Sequence, residues 1–311
     1  MMTSKSHQNG IGFLEGDFMP HTEIRLPVTD LGFQLSDMCY DALHVANGKF
    51  FRQEDHMNRW ERSIRERRFD TLSYDRRQTI DILHECVRRA GLRDAMVYVI
   101  ATRGSPTDES KDLRTCANRL MAWAVPYYRV VSDDELRTGC DIVVSDVVRI
   151  PEQSVDPTVK NFGRLDFCNA LFEAYDRGAK YAVLLDQDGN VTEGRGWNVF
   201  ALFGGQLVSP ASGVLEGITR QTVLELCDEL NVEGRLQPFT ADALRNADEV
   251  FMTSTAGGIM PISTVDGSPI GTGGPGPVTK RLTEMYWALH ENPDYTTPVN
   301  YGSGAEDRSE F

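Results

Sequence analysis

A chain of 311 residues, 41% hydrophobic and 25% charged, has material for one large domain or two modest ones and the composition of an ordinary soluble globular protein. Its net charge of −14 argues against nucleic acid or an anionic membrane as partner, and makes any cation placed inside a site conspicuous. No apolar run approaches the ~18 residues of a membrane span, and the polar residues 1–10 lack the apolar core of a signal peptide. Six cysteines without a CxxC pair suit reduced thiols in the cytoplasm, and six histidines show no metal-ligand spacing.

Residues 1–20 read as a loose arm, followed by a strand over 21–28 closed by Pro27 and Asp30. Residues 36–45 and 48–52 read as two strands joined by Asn47-Gly48, a dipeptide suited to the positive φ of a tight hairpin. Residues 54–69 have helical period and carry Arg59, Arg62, Arg65, Arg67 and Arg68, mostly a solvated face. A second helix is expected over 75–90, where Ile80, Leu83 and Val87 recur at helical spacing and Gly91 is the stop. Residues 96–101 and 119–125 read as buried strands flanking a polar loop at 104–114.

A domain boundary falls in the connector at 126–138. Beyond it come a strand at 141–150, the segment around Lys160, a helix at 166–177 and a three-stranded meander across 181–210. A helix at 216–230, a strand at 249–254, a turn at Asp266-Gly267 and a terminal helix at 278–290 follow. The polar last 20 residues read as frayed. The expected α+β organisation is an arm (1–20), a small N-terminal α/β domain (21–128), a connector (129–135) and a larger C-terminal domain (136–311) that carries Lys160.

Asp156-Pro157-Thr158-Val159-Lys160-Asn161 sets a lysine in an otherwise apolar-to-neutral run, and Glu193 follows in Val191-Thr192-Glu193-Gly194. A lysine amine can form a Schiff base with an aldehyde cofactor, and a carboxylate can hold that cofactor's pyridine nitrogen protonated. Leu215-Glu216-Gly217-Ile218-Thr219 opens a helix. Backbone N–H groups, the positive dipole end and a threonine hydroxyl make a phosphate seat there, although the same residues also serve as an ordinary cap. Ser254-Thr255-Ala256-Gly257-Gly258 ends a strand with small, donor-rich residues, suited to an anion or to a plain turn. Two such loops occurring with the lysine and the glutamate in one acidic chain favour the cofactor reading.

These strings, with Asn198, Arg220 and residues 252–262 (MTSTAGGIMPI), resemble the pyridoxal-phosphate transaminases of fold type IV, the branched-chain and D-amino acid aminotransferase class. The likeness is strongest to the (R)-selective amine transaminases and runs from about Pro20 to His290. The resemblance implies two α/β domains with the active site between them, completed by the second subunit of a homodimer. It implies that Lys160 carries pyridoxal 5'-phosphate and shuttles a proton on the cofactor's re face, while Glu193 pairs with the pyridine nitrogen. Arg59, in His56-Met57-Asn58-Arg59, would bind the phosphate with Ile218, Thr219 and Thr255, and Tyr40 would face the substrate. The reaction implied moves an amino group from an (R)-configured primary amine to a small keto acid such as pyruvate, ping-pong through pyridoxamine phosphate. D-amino acid or branched-chain transamination is the alternative, ahead of a lyase of the aminodeoxychorismate type or a non-catalytic binder.

Several substrate-pocket positions depart from the amine-transaminase pattern. Leu35 replaces a histidine, Ala42 a valine, Met96 a phenylalanine, Tyr98 a glutamate and Arg164 a tryptophan. Tyr98 ahead of Thr102-Arg103-Gly104 is closer to the D-amino acid enzymes, but the acidic loop at 105–110 lacks their carboxylate-binding arginine. A substrate carboxylate in a dry pocket needs a cation or several donors. Arg103, Arg114 and Arg164 are the candidates, and each can also be read as a surface or ion-pairing arginine.

Overall fold

The computed structural model describes residues 10–110 and 112–302, so residues 1–9 of the expected arm lie outside it. The remainder of that arm is a hairpin of β1 (Ile11–Leu14) and β2 (Asp17–Pro20), turning through Glu15 and Gly16 at positive φ. Phe13 anchors it: the ring is buried, 5.0 Å from Phe18 and 5.4 Å from Tyr74 between centroids. The strand expected at 21–28 is absent. His21–Glu23 makes a single 3-10 turn, and Pro20 and Pro27, which have no N–H to give a ladder, bracket the stretch.

A short helix, α1 (Leu31–Leu35), is capped by Asp30, whose Oδ1 accepts from the Gly32 N–H at 2.8 Å. The hairpin of β3 (Met38–Ala46) and β4 (Lys49–Phe51) turns at Asn47 and Gly48 with φ of 50° and 76°. Then come α2 (Gln53–Glu66) and α3 (Arg76–Ala90), the second opened by an Asp75/Gln78 capping box and closed by Gly91 at φ 66°. They precede β5 (Ala95–Pro106) and β6 (Cys116–Pro126). Met57, Trp60, Leu83 and Val87 of the helices bury against Leu43, Val45, Val97 and Val99 of the strands. Each large side chain so removed from water contributes about 1.5–3 kcal/mol. Because a strand alternates faces, Tyr40, Ala42, Met96, Tyr98 and Trp123 are turned to the face away from these helices.

The second unit runs over Arg129–Thr158 and Gly163–Leu289. Its elements are α4 (Asp133–Thr138), β7 (Cys140–Val148), α5 (Leu165–Asp176), β8 (Tyr181–Leu185), β9 (Val191–Gly194), β10 (Trp197–Phe203) and β11 (Gln206–Ser209). They continue with α6 (Ile218–Leu230), β12 (Glu233–Leu236), α7 (Ala241–Arg245), β13 (Glu249–Ser254), β14 (Gly258–Val265), β15 (Ser268–Pro269) and α8 (Pro277–Ala288). Strands β10, β13, β14, β7, β8 and β9 neighbour one another in turn, and β9 pairs back onto β10, so the sheet closes into a barrel. Ile142, Val183, Trp197, Val199, Met252 and Met260 pack together inside it. The 181–210 region holds four strands rather than three, because β9 is only four residues long. The unforeseen β14 contains Pro261, which is tolerated because pairing with β7 starts only at Ile262.

Val159–Phe162 and the chain from His290 onward cluster with the first unit, which otherwise ends at Tyr128. Lys160, expected within the larger C-terminal domain, therefore packs beside β3. The cause is backbone pairing: Cys39 and Asn161 form an antiparallel bridge, Tyr40 N donates to Lys160 O at 2.9 Å, and Phe162 N donates to Met38 O at 3.3 Å. The expected frayed tail is also ordered up to residue 302. β16 (Thr296–Pro298) pairs with β4, and Arg93 lies 4.0 Å over the Tyr301 ring; residues 303–311 lie outside the description. Among the described residues no helix is long and apolar enough to cross a membrane.

Candidate active site

The bridge between Cys39 and Asn161 sets Lys160 opposite Tyr40 and Phe162 opposite Met38, so these four side chains share one face of the first sheet. The Lys160 Nζ stands 4.7 Å from the Tyr40 ring centroid, and Tyr40 and Phe162 lie 4.9 Å apart. Along the same face Ala42 is opposite Tyr98, and Tyr98 is opposite Trp123 with the rings stacked at 4.9 Å. The Tyr98 hydroxyl is hydrogen-bonded to that of Tyr128. Met96 is fully buried opposite His44. Leu35, expected with these residues, ends α1 with 60% of its surface exposed.

Arg59 reaches β3 from the helix side. Its Nε and Nη2 donate to Asp41 Oδ2 and Oδ1 at 2.9 and 2.8 Å, and His56 Nδ1 donates to Asp41 Oδ1 at 2.8 Å. All three side chains are buried. Burial alone would raise the Asp41 pKa, but the Arg59 and His56 beside it hold the carboxyl well below the usual range. His56 is pushed down by burial, partly offset by Asp41, so it stays a neutral ring. The fork fixes the guanidinium in one orientation, as a phosphate-binding arginine requires.

In the second unit Glu193, Asn198 and Thr253 form a lateral row across β9, β10 and β13, on the outside of the barrel. Glu193 is buried and accepts from Arg149 Nη2 at 3.3 Å, Asn198 Nδ2 at 3.3 Å and Leu215 N at 3.1 Å. Arg149 also donates from Nη1 to Asp166 Oδ2 at 2.6 Å and lies 4.4 Å over the Phe167 ring. Next to Leu215, α6 begins at Gly217 with no side chain capping its first N–H groups, and Ile218 and Thr219 are buried. A Cβ on Gly217 would come within 2.1 Å of Asn198 Oδ1, so only glycine lets the loop lie this close to the Glu193 row. Thr253 Oγ1 is buried without a hydrogen-bond partner among the described residues. Thr255 sits in the turn from β13 to β14, and Arg164 is the N-cap residue of α5, 5.7 Å from Phe167.

Two of the three candidate carboxylate-binding arginines are engaged elsewhere. Arg103 donates to Asp37 Oδ2 at 2.7 Å and to the carbonyls of Arg67 and Arg68, and stacks on Phe69. Arg114 is 86% exposed and closes on Asp112.

Sequence reasoning passed over Asp41, His56, Arg149 and Asp166. A signal existed for two of them. Asp41 is a carboxylate inside an apolar strand, and Arg149 directly follows another; a buried charge in such a setting requires a partner.

An amine over an aromatic ring, a carboxylate held by donors, and an uncapped helix start pressed close by glycine are what pyridoxal phosphate needs of a protein. With the barrel and the antiparallel sheet they define a pyridoxal-phosphate-dependent aminotransferase of fold type IV. Residues 38–265 match the family model of amino-transferase class IV, and the chain belongs to that family. It is 32% identical over 277 residues to a putative branched-chain-amino-acid aminotransferase of Methanocaldococcus jannaschii, covering 88% of this chain and 94% of that one. It is 30% identical over 269 residues to a D-alanine aminotransferase of Bacillus licheniformis, covering 86% and 92%. The crystal structure of the branched-chain amino acid aminotransferase from Thermobaculum terrenum in its pyridoxal-phosphate form superposes with a TM-score of 0.82 at 25% identity, over 95% of this chain and 99% of that one.

Proposed function

We propose that this aminotransferase takes its amino group from an (R)-configured primary amine and passes it to a small keto acid such as pyruvate. One observation carries the choice of donor. The sheet face around Lys160 is aromatic and apolar, while Arg103 and Arg114 are tied to Asp37 and Asp112. A donor with no carboxylate suits such a face, because it asks for no buried cation.

Pyridoxal phosphate, when bound, supplies the electron sink for the charge left on the substrate carbon. In this reading Lys160 Nζ carries the cofactor and then moves the proton on the substrate carbon. Glu193 holds the ring nitrogen protonated, itself kept in place by Arg149, Asn198 and Leu215 N. Ile218 N, Thr219, Thr255 and the Asp41-oriented Arg59 take the phosphate, Tyr40 walls the substrate, and Arg164 remains a candidate for contact with it.

The test is turnover of (R)- and (S)-1-phenylethylamine with pyruvate. Acetophenone from the (R) form alone is expected; turnover of neither, or of only the (S) form, removes the proposal. The second reading, a D-amino acid or branched-chain aminotransferase, is supported by the names of the relatives. D-alanine and L-leucine offered with 2-oxoglutarate separate it from the first. A homodimer in the cytoplasm is part of the same proposal, supported by the exposed apolar Val28, Phe33 and Leu35, which suit a partner surface. Light scattering on the purified protein at micromolar concentration should give twice the chain mass; a monomer counts against it.

A further inference from the structure

Tyr98 and Tyr128 bring two phenol oxygens to one point. Tyr98 stands in β5 opposite Ala42, on the face that carries Tyr40 and Lys160, and its ring is fixed by the stack on Trp123 at 4.9 Å. Ala42, the smallest side chain of the row, lies between Tyr40 and Tyr98 and leaves the surface low there.

The acceptor makes a demand this face must meet, since a keto acid brings a carboxylate that needs several donors or a cation. Arg103 and Arg119 are held by the chain's own acids, Arg119 by Glu15 at 2.7 Å and Asp30 at 2.9 Å. Neutral donors that converge on a carboxylate are the other solution, and a phenol hydroxyl is such a donor. We propose that the Tyr98–Tyr128 hydroxyl pair is the seat of the acceptor's carboxylate. A carboxylate arriving there accepts a hydrogen bond from each hydroxyl and replaces one phenol–phenol bond with two charge-assisted bonds. The inference rests on the reading of a keto acid as acceptor.

Tyr40 and Tyr98 are diagonal neighbours on adjacent strands, on the order of 7–8 Å apart at the backbone, so the hydroxyl pair belongs to the same stretch of sheet face as the ring beneath Lys160. Burial, with Tyr128 alongside, holds the Tyr98 phenol well above its usual pKa, so it keeps its proton. Neutral donors also explain how one face serves two half-reactions. When a carboxylate-free amine occupies the face, the hydroxyls close on each other, whereas a buried arginine would be left unpaired.

Tyr98→Phe and Tyr128→Phe each remove one hydroxyl and keep the ring. With the cofactor-loaded enzyme, each variant should raise the KM for pyruvate by about tenfold more than the KM for pyruvamide, its uncharged analogue, the cost of one hydrogen bond to a charged group. Calorimetric binding of oxamate, an unreactive analogue of pyruvate, should weaken in parallel. That measurement uses no amine donor, so failure of the donor reading shows separately, as no turnover of 1-phenylethylamine with oxamate binding intact in the parent enzyme. Unchanged oxamate affinity in both variants, or equal losses for pyruvate and pyruvamide, overturns the proposal.

Discussion

Arg149 Nη2 lies 3.3 Å from Glu193 Oε1, and the same guanidinium reaches Asp166 Oδ2 at 2.6 Å, so Glu193 is one end of a buried chain of alternating charges. Two carboxylates and one guanidinium leave a net charge of −1, which a protonated ring nitrogen beside Glu193 would neutralise. Arg149 also fixes where Glu193 points, with the flat face of its guanidinium on Phe167. Two substitutions separate these roles. Glu193→Gln keeps the shape and removes the charge; kcat should fall by about a hundredfold or more, the scale of losing one preorganised electrostatic partner, with little change in thermal midpoint. Arg149→Met leaves two carboxylates buried without their cation and should cost about 3–5 kcal/mol of stability in urea denaturation. A Glu193→Gln enzyme with parental kcat would contradict the first assignment.

Gly217 is the second pressure point. Its missing Cβ allows Asn198 Oδ1 into space that an alanine would fill at 2.1 Å, and Asn198 donates to both Glu193 and the Leu215 carbonyl. Gly217→Ala should therefore push α6 away from the Glu193 row. Overpacking of this kind costs about 1–3 kcal/mol, and the displaced helix start should bind phosphate less well. Equilibrium dialysis against pyridoxal phosphate reads the second effect, with at least tenfold weaker binding expected.

Much of this architecture was legible because local chemistry and tertiary context agree. Asn47-Gly48 turns where positive φ is needed, Asp75 and Gln78 cap a helix, and Gly91 stops it. Legibility failed where a long-range contact decides the outcome. Phe13 ties residues 11–20 of the expected arm into the sheet, and the bridge at Asn161 draws Lys160 to β3 across more than a hundred residues of sequence. The motif residues Lys160 and Glu193 stand out as strings, whereas Asp41 and Arg149 carry no string signature. Their importance lies in what faces them, and facing is a property of register and burial that a single sequence does not contain. Arg103 and Arg114 show the same limit from the other side: both had the right type for a carboxylate, and Asp37 and Asp112 already occupy them.

Lys160 is half-buried against Tyr40 and holds its place through main-chain bonds, so its side chain can be altered without loss of the fold. Lys160→Ala should retain the parental thermal midpoint within about 1 kcal/mol of stability, since it deletes no core contact. Turnover should fall by a thousandfold or more, because in the proposed mechanism the nucleophile and proton carrier are the same group. The parent should be yellow and bleach with borohydride. The variant should lose its cofactor on gel filtration after the same treatment, and cofactor retained covalently would place the attachment at another lysine.

The Asp41–Arg59–His56 cluster ties stability to pH. Asp41 in the fold stays ionised far below the range in which an unfolded aspartate takes a proton, near 3.9. His56 stays neutral below the point near 6.5 where an unfolded histidine is half-charged. In both cases the unfolded chain binds more protons as pH falls, so the folded state loses stability with acid. The loss should begin below about pH 6.5 through His56 and steepen below about pH 4 through Asp41. Asp41→Asn tests the assignment. At pH 7 it should cost about 3–5 kcal/mol, because Arg59 is left buried without its counter-charge, and its thermal midpoint should fall less steeply than the parent's between pH 5 and 3. Parallel curves for parent and variant over that interval would show that the acid sensitivity resides in other carboxylates.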